Sequence, residues 1–395
     1  MAKTIGGVAG ESLRKRFGSP LYVYDAAVAR KRCSELTRAF AGMRIHYAVK
    51  ANANPALLKI IRKEGVGAEA VSPGEVLIAL HAEFRKQDIS FTGPNVTEAE
   101  LRFVAERAGR VHLDSLTQLE TWGKLGLGKS VSLRLNLGIG AGHHKHVRTG
   151  GDGSKFGIVP KDLVRVREIA DRYGLTITGL QQHIGSHVPD GSDYIEGAVA
   201  LLKAAKQFNE VTHIDFGGGL GVPYRPDERR QDIAGIGREV RAHIRKFEQE
   251  AKRNMTYALE PGRYLIAEAG TLLVSVVDVK QTGAHTFVGV DSGFNHLIRP
   301  ALYGAYHEIE NLSRRGNKRS LTVAGNVCES GDVFAWDRQV ALPQVGDILA
   351  IRNAGAYGIS MASTYNLRPL PREVLIDTGK AKEITFDRNP FLVRV

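Results

Sequence analysis

The run HYAVK (46–50) ends an apolar stretch on a single lysine, Lys50, and the small polar run ANANP follows it. A lysine held in a partly desolvated place has a lowered pKa, and its amine can bond an aldehyde as a Schiff base. Three further features downstream suit the same chemistry. His183 sits inside QQHIGSH (181–187), Gly217, Gly218 and Gly219 are consecutive, and Glu260 opens EPGR (260–263). A glycine run lets backbone N–H groups approach a phosphate, and a helix start after it adds a favourable dipole. An acid beside a pyridine nitrogen keeps that nitrogen protonated and makes the ring an electron sink. A flat imidazole can stack on the ring. Each feature alone has a plainer reading: a surface lysine, a satisfied core histidine, a glycine turn, a helix entry. Together they match pyridoxal 5'-phosphate. GGGLG does not give the G-x-G-x-x-G spacing of a dinucleotide site.

These residues act together only if the fold gathers them, and the intervening pattern shows how. Strand-like runs occur at 44–49, 66–71, 88–93, 110–114, 131–137, 176–182, 211–217 and 256–260. Between them lie helical patterns such as PALLKIIRKEG, PGEVLIALHAE and TEAELRFVAERAG, and Pro55, Pro73 and Pro160 each open one. Eight strands alternating with helices predict a (β/α)8 barrel, whose active site lies at the C-terminal ends of its strands. Lys50, His183, the glycine run and Glu260 fall at the ends of the first, sixth, seventh and eighth of these strands. After residue 270 the pattern becomes β-rich, with TLLVSVVDVK, HTFVGVD, RSLTVAGNV and VGDILAIRN. The strand-like SPLYVYD (19–25) is a candidate to pair with that later part. The expected organisation is a barrel over 30–285 and a β-rich domain, sandwich or small barrel, from 1–29 and 286–395.

Composition narrows the function classes. With 395 residues, 43% apolar and 24% charged, the chain reads as a soluble globular protein. It has no run of the ~18 apolar residues that a membrane span needs. The N-terminus lacks a signal-peptide core and there are only two cysteines, so a reducing, cytoplasmic setting is expected. The formal charge of +12 is scattered over RKR (14–16), RKR (30–32) and RRGNKR (314–319). No nucleic-acid motif accompanies it, so neither a nucleic-acid nor a membrane partner is expected.

Nine motifs in order extend the reading: YAVKAN (47–52), VSPGE (71–75), TGGDGSKFG (149–157), HIGSH (183–187), DFGGGLGVPY (215–224), EPGR (260–263), GFNHLIRPALYGAYH (293–307), CESGDVF (328–334) and GAYGISMASTYNLRPLPREVL (355–375). From about residue 19 to 385 the chain resembles the fold-type III pyridoxal-phosphate decarboxylases. Their barrel is alanine-racemase-like and is followed by a β domain. The motifs look most like the branch acting on diaminopimelate. The resemblance therefore implies decarboxylation of meso-2,6-diaminopimelate to L-lysine and CO₂, the last step of lysine biosynthesis.

Carried over by position, the resemblance implies that Lys50 is the Schiff-base lysine, that His183 stacks on the ring and that Glu260 pairs with the pyridine nitrogen. Ser186, Gly217, Gly218, Gly219, Gly262 and Arg263 surround the phosphate and the adjoining substrate end. Arg299 and Tyr303 hold the distal carboxylate, and Tyr357 contacts phosphate or substrate. Cys328 and Glu329 reach in from the other subunit of a homodimer with active sites at the interface, and Cys328 is the candidate catalytic acid, with Lys50 as the alternative. A substrate with two carboxylates and two ammonium groups needs a guanidinium and an acid at its distal end, which Arg299 and Glu329 supply.

The chain departs from the pattern in places. Gln181 stands where the family often has a histidine, and Leu137 replaces a usual proline. HHKH (143–146) reads as a basic lid rather than a metal site, because adjacent histidines on a glycine-rich loop rarely converge without a further ligand; no metal is expected. Three alternatives are open: a sister decarboxylase of ornithine, lysine or carboxynorspermidine, a racemase, and a cofactor-carrying barrel protein. EPGR argues against a racemase, and the β-rich part argues against a lone barrel.

Overall fold

The computed structural model describes residues 3–139, 141–142, 153–186 and 191–395. The chain divides into two units. One comprises Arg32–Gly221, Gln231–Arg263 and Asp387–Val395, and the other Met1–Lys31, Val222–Arg230 and Tyr264–Phe386.

The first unit is a closed eight-stranded parallel barrel, and its strands are the eight read from the sequence. In chain order they are Arg44–Ala48, Gly67–Ala70, Ile89–Phe91, Arg110–Leu113, Ser130–Arg134, Thr176–Gln181, His213–Asp215 and Thr256–Leu259. Closure is made by the pairs Ala258↔Arg44 and Leu259↔Ile45. The helices between strands begin where the sequence supplies caps. Asn54 accepts from the Ala56 N–H ahead of Pro55–Lys63, Ser72 accepts from Glu75 ahead of Pro73–His81, and Thr97 with Glu100 forms a capping box at Glu98–Arg107. The VSPGE motif is such an entry: Glu75 also accepts the Val71 N–H at 2.9 Å, and burial with Glu69 nearby pushes its pKa up to about 7. The apolar faces of these helices bury Leu57, Leu58, Ile61, Val76, Leu101 and Val104. Each such side chain contributes about 1.5–3 kcal/mol.

The second unit is built on a nine-stranded mixed sheet. Its long strand Gly270–Thr282 pairs with His285–Val290, with Ile348–Ile351 and, antiparallel, with Leu21–Asp25. Leu21–Asp25 also runs parallel to Arg372–Asp377. The early strand thus joins the late sheet, as SPLYVYD suggested. Leu21, Val23, Leu273, Leu312, Ile348, Val374 and Ile376 share one core, and the buried Tyr24 hydroxyl donates to Glu373 at 2.9 Å. The boundary expected at 285–286 falls inside a strand, and the unit begins at Tyr264 instead. Pairing draws Gly270–Thr282 into this sheet.

Candidate active site

The barrel positions four of the expected groups at the C-terminal mouth. Lys50 lies in a single turn, Val49–Ala51, just after the first strand. The turn is held by the Tyr47 hydroxyl, which donates to the Asn52 carbonyl at 3.1 Å. Lys50 Nζ meets Glu69 Oε2 at 3.3 Å. The register Ala48↔Glu69 puts this buried carboxylate beside the end of the first strand.

His183 follows the sixth strand. Its Nδ1 accepts the Gly218 N–H at 2.9 Å, which leaves the proton of the neutral ring on Nε2. Burial, then the charges of Lys50 and Arg134, hold its pKa well below the ordinary imidazole value, so the ring is uncharged at neutral pH. Ser186 accepts from Arg263, with Nη2 at 2.8 Å and Nε at 3.3 Å. Gly262 is buried in the turn that leads into the short helix Arg263–Ile266.

Glu260 stands just beyond the eighth strand and is buried. The Gln181 side-chain amide donates to its Oε2 at 2.7 Å, while Oε1 has no hydrogen-bond partner among the described residues. Burial, then the charges of Asp215 and Glu69, raise its pKa well above the usual carboxylate range, against the opposing influence of Lys50 and Gln181.

The glycine run differs in detail from the sequence reading. The Gly217 N–H donates to Asp215 Oδ1 at 2.8 Å and the Gly218 N–H to His183. Of the three amides, only that of Gly219 is not engaged by a described residue. Nor does a helix begin there; the next one is Ile233–Ala251. Gly217 and Gly218 are required instead for close approach. A Cβ on Gly217, where φ is +69°, would overlap the Gln182 carbonyl, and one on Gly218 would lie 2.5 Å from the Glu260 carbonyl oxygen. Gly217→Ala is therefore expected to destabilise by about 2 kcal/mol or more, combining left-handed strain with overlap. Gly126→Ala, at a left-handed helix end with open space around it, is expected to cost about 1 kcal/mol. Chemical denaturation of the two variants checks the difference.

The remaining expected residues belong to the β unit. Arg299 is buried; its Nη1 lies 2.9 Å from His307 Nε2 and its guanidinium 4.8 Å from the Tyr224 ring centre. His307 Nδ1 is 2.8 Å from the Arg352 carbonyl and is thereby oriented. Tyr303 ends the helix Arg299–Tyr303 and is half-buried. Tyr357 is half-buried in a left-handed conformation, with φ +58°. Cys328 and Glu329 are exposed on a turn; the Cys328 N–H donates to Asn366, and the Tyr365 hydroxyl donates to Glu329 at 2.8 Å. HHKH (143–146) and His187 lie outside the described residues.

Glu69, Gln181, Arg134 and Asp215 are the mouth residues that sequence reasoning left without a role. The signal for Glu69 was a lone charge in the otherwise small and apolar run VGAEAV, and that for Gln181 was its departure from the expected histidine.

A lysine beside a buried acid, a neutral imidazole tied to a glycine run, and a second buried acid with one oxygen unpartnered fit a cofactor that carries an aldehyde, a phosphate and a ring nitrogen. Gathered at the C-terminal mouth of a (β/α)8 barrel, they define the alanine-racemase-like class of pyridoxal-phosphate protein. Residues 26–267 match the family described as pyridoxal-dependent decarboxylase, pyridoxal binding domain, and the chain belongs to that family. It is 41% identical over 400 residues to diaminopimelate decarboxylase of Methanothermobacter thermautotrophicus, covering 98% of this chain and 93% of that one. To the enzyme of that name from Escherichia coli K12 it is 38% identical, covering 94% and 92%. Its fold matches that of diaminopimelate decarboxylase from Helicobacter pylori complexed with L-lysine, with a TM-score of 0.89, 30% identity, and coverage of 96% and 98%. Pyridoxal phosphate is the cofactor of the family. No helix among the described residues is long and apolar enough to cross a membrane.

Proposed function

We propose that the chain removes CO₂ from meso-2,6-diaminopimelate to give L-lysine, with its cofactor held by Lys50. The observation that carries the proposal is the meeting of Lys50, His183 and Glu260 at one barrel mouth, in a chain similar to named diaminopimelate decarboxylases over nearly its whole length. When bound, pyridoxal phosphate supplies an electron sink for the pair left at the α-carbon as CO₂ departs. The residues do the rest. The Lys50 amine, ion-paired with Glu69, is the group that holds the aldehyde. His183, neutral and fixed through Nδ1, offers a flat face to the ring without adding charge. The unpartnered Oε1 of Glu260 accepts from the protonated ring nitrogen, and Gly219, Ser186 and Arg263 serve the phosphate.

Arg299 and Tyr303 hold the carboxylate that stays. A buried guanidinium is the stronger anchor, because its charge is little screened. Cys328 and Glu329 lie on an exposed turn, which supports their presentation by a second copy of the chain; there Glu329 receives the distal ammonium and Cys328 returns a proton to the α-carbon. CO₂ release from meso-diaminopimelate, D-lysine and ornithine, measured side by side, tests the reading. Diaminopimelate is expected to be favoured by at least about 10²-fold in kcat/KM, because D-lysine and ornithine lack the distal carboxylate that the buried Arg299 is proposed to hold. A preference for ornithine or D-lysine, or epimerisation without CO₂, overturns it.

A further inference from the structure

Gln181 has no part in the reading above, yet its side-chain amide donates to Glu260. It closes the sixth barrel strand, pairs in register with Arg134 on one side and Asp215 on the other, and is 1% exposed. Its Nε2 gives Glu260 Oε2 a 2.7 Å hydrogen bond. Its own Oε1, like Glu260 Oε1, is buried with no partner among the described residues. Lys50 and Arg134 are the cations that face Glu260, and Asp215 and Glu69 are the anions.

We infer that Gln181 is a positioning residue for the acid at the ring nitrogen: its amide holds one oxygen of Glu260 and leaves the other for the cofactor. The inference rests on the proposed role of Glu260. An amide suits this place for two reasons. It donates to the carboxylate without adding a charge, so it favours the ionised form without introducing a second titrating group. It also carries an acceptor, so a turn of the amide plane serves the acid when that acid holds its proton. The donated bond works in the same direction as Lys50 and against burial, Asp215 and Glu69.

Gln181→Met keeps the length and flexibility of the side chain and removes the donor. In the cofactor-free protein, the infrared carboxyl band of Glu260, assigned by its loss in Glu260→Gln, reports protonation against pH. Removing a hydrogen bond to a charged acceptor is expected to raise that midpoint by about one pH unit. The affinity for pyridoxal phosphate, measured by equilibrium dialysis, is expected to weaken about tenfold. Gln181→His restores a donor and is expected to recover most of that affinity above the pKa of its imidazole. An unmoved carboxyl midpoint in a Gln181→Met protein with wild-type circular dichroism overturns the inference. So does a histidine variant that rescues nothing. Failure of the underlying reading shows separately, as borohydride-treated wild-type protein that carries no pyridoxyl label on Lys50.

Discussion

Lys50→Ala is expected to abolish covalent cofactor attachment and to lower kcat by at least about 10³-fold, the scale of losing a nucleophile that also handles protons. Borohydride reduction followed by peptide mass mapping checks the attachment, and CO₂ release checks the rate. If the variant still carries a pyridoxyl label elsewhere on the chain, Lys50 is the wrong lysine. The change in stability is of a different kind. Lys50 Nζ is 3.3 Å from Glu69, whose side chain is 1% exposed, so truncation leaves a buried carboxylate without this cation. Because the lysine itself is 38% exposed, its attraction is partly screened, and the loss is about 1 kcal/mol rather than the several typical of a fully buried pair. Lys50→Ala combined with Glu69→Gln is expected to recover that stability and none of the activity. The pair thus separates what the lysine does for the fold from what it does for the cofactor.

The barrel was legible because each of its strands is a short β-branched or apolar run bounded by proline, glycine or a helix cap, and those signals are local. Gly67–Ala70, for example, lies between Gly65 and the Ser72–Pro73 helix entry. The β unit was less legible because its order depends on distant pairing. Leu21–Asp25 lies between Gly270–Thr282 and Arg372–Asp377, and nothing in PREVLID announces a parallel neighbour some 350 residues earlier. The same limit applies at the site. Lys50, His183 and Glu260 are visible because each stands at the end of a recognisable run. Glu69 becomes a partner only through the register of two adjacent strands, and a lone acid in VGAEAV reads locally as an exposed residue. The glycine run shows a subtler gap. Residue type announces that backbone comes close to something at 217–219. In the fold that something is, for two of the three, the chain just past the ends of neighbouring strands, the Gln182 and Glu260 carbonyls, while the Gly217 and Gly218 amides are taken by Asp215 and His183.

Glu260→Gln is expected to lower kcat by about 10²–10³-fold while making the cofactor-free protein more stable. The first effect follows from charge: an amide cannot balance a protonated ring nitrogen, and removing one preorganised electrostatic partner of a developing charge costs on that order. The second follows from the raised pKa of the acid, caused chiefly by burial and reinforced by Asp215 and Glu69. An acid whose folded pKa lies above its unfolded value binds more protons in the native state between the two values. Its favourable contribution is therefore complete below the unfolded carboxylate range and is lost as pH rises through the folded pKa. Glutamine keeps the shape without that titration, so the stability of the variant is expected to fall less steeply with rising pH than that of wild type. Thermal melts of both cofactor-free proteins across pH 5–8, beside steady-state rates of the loaded enzymes, test the two signs together. A variant with lower stability at every pH, or with wild-type turnover, shows that Glu260 is a structural acid rather than one kept at a cost to the fold for its chemistry.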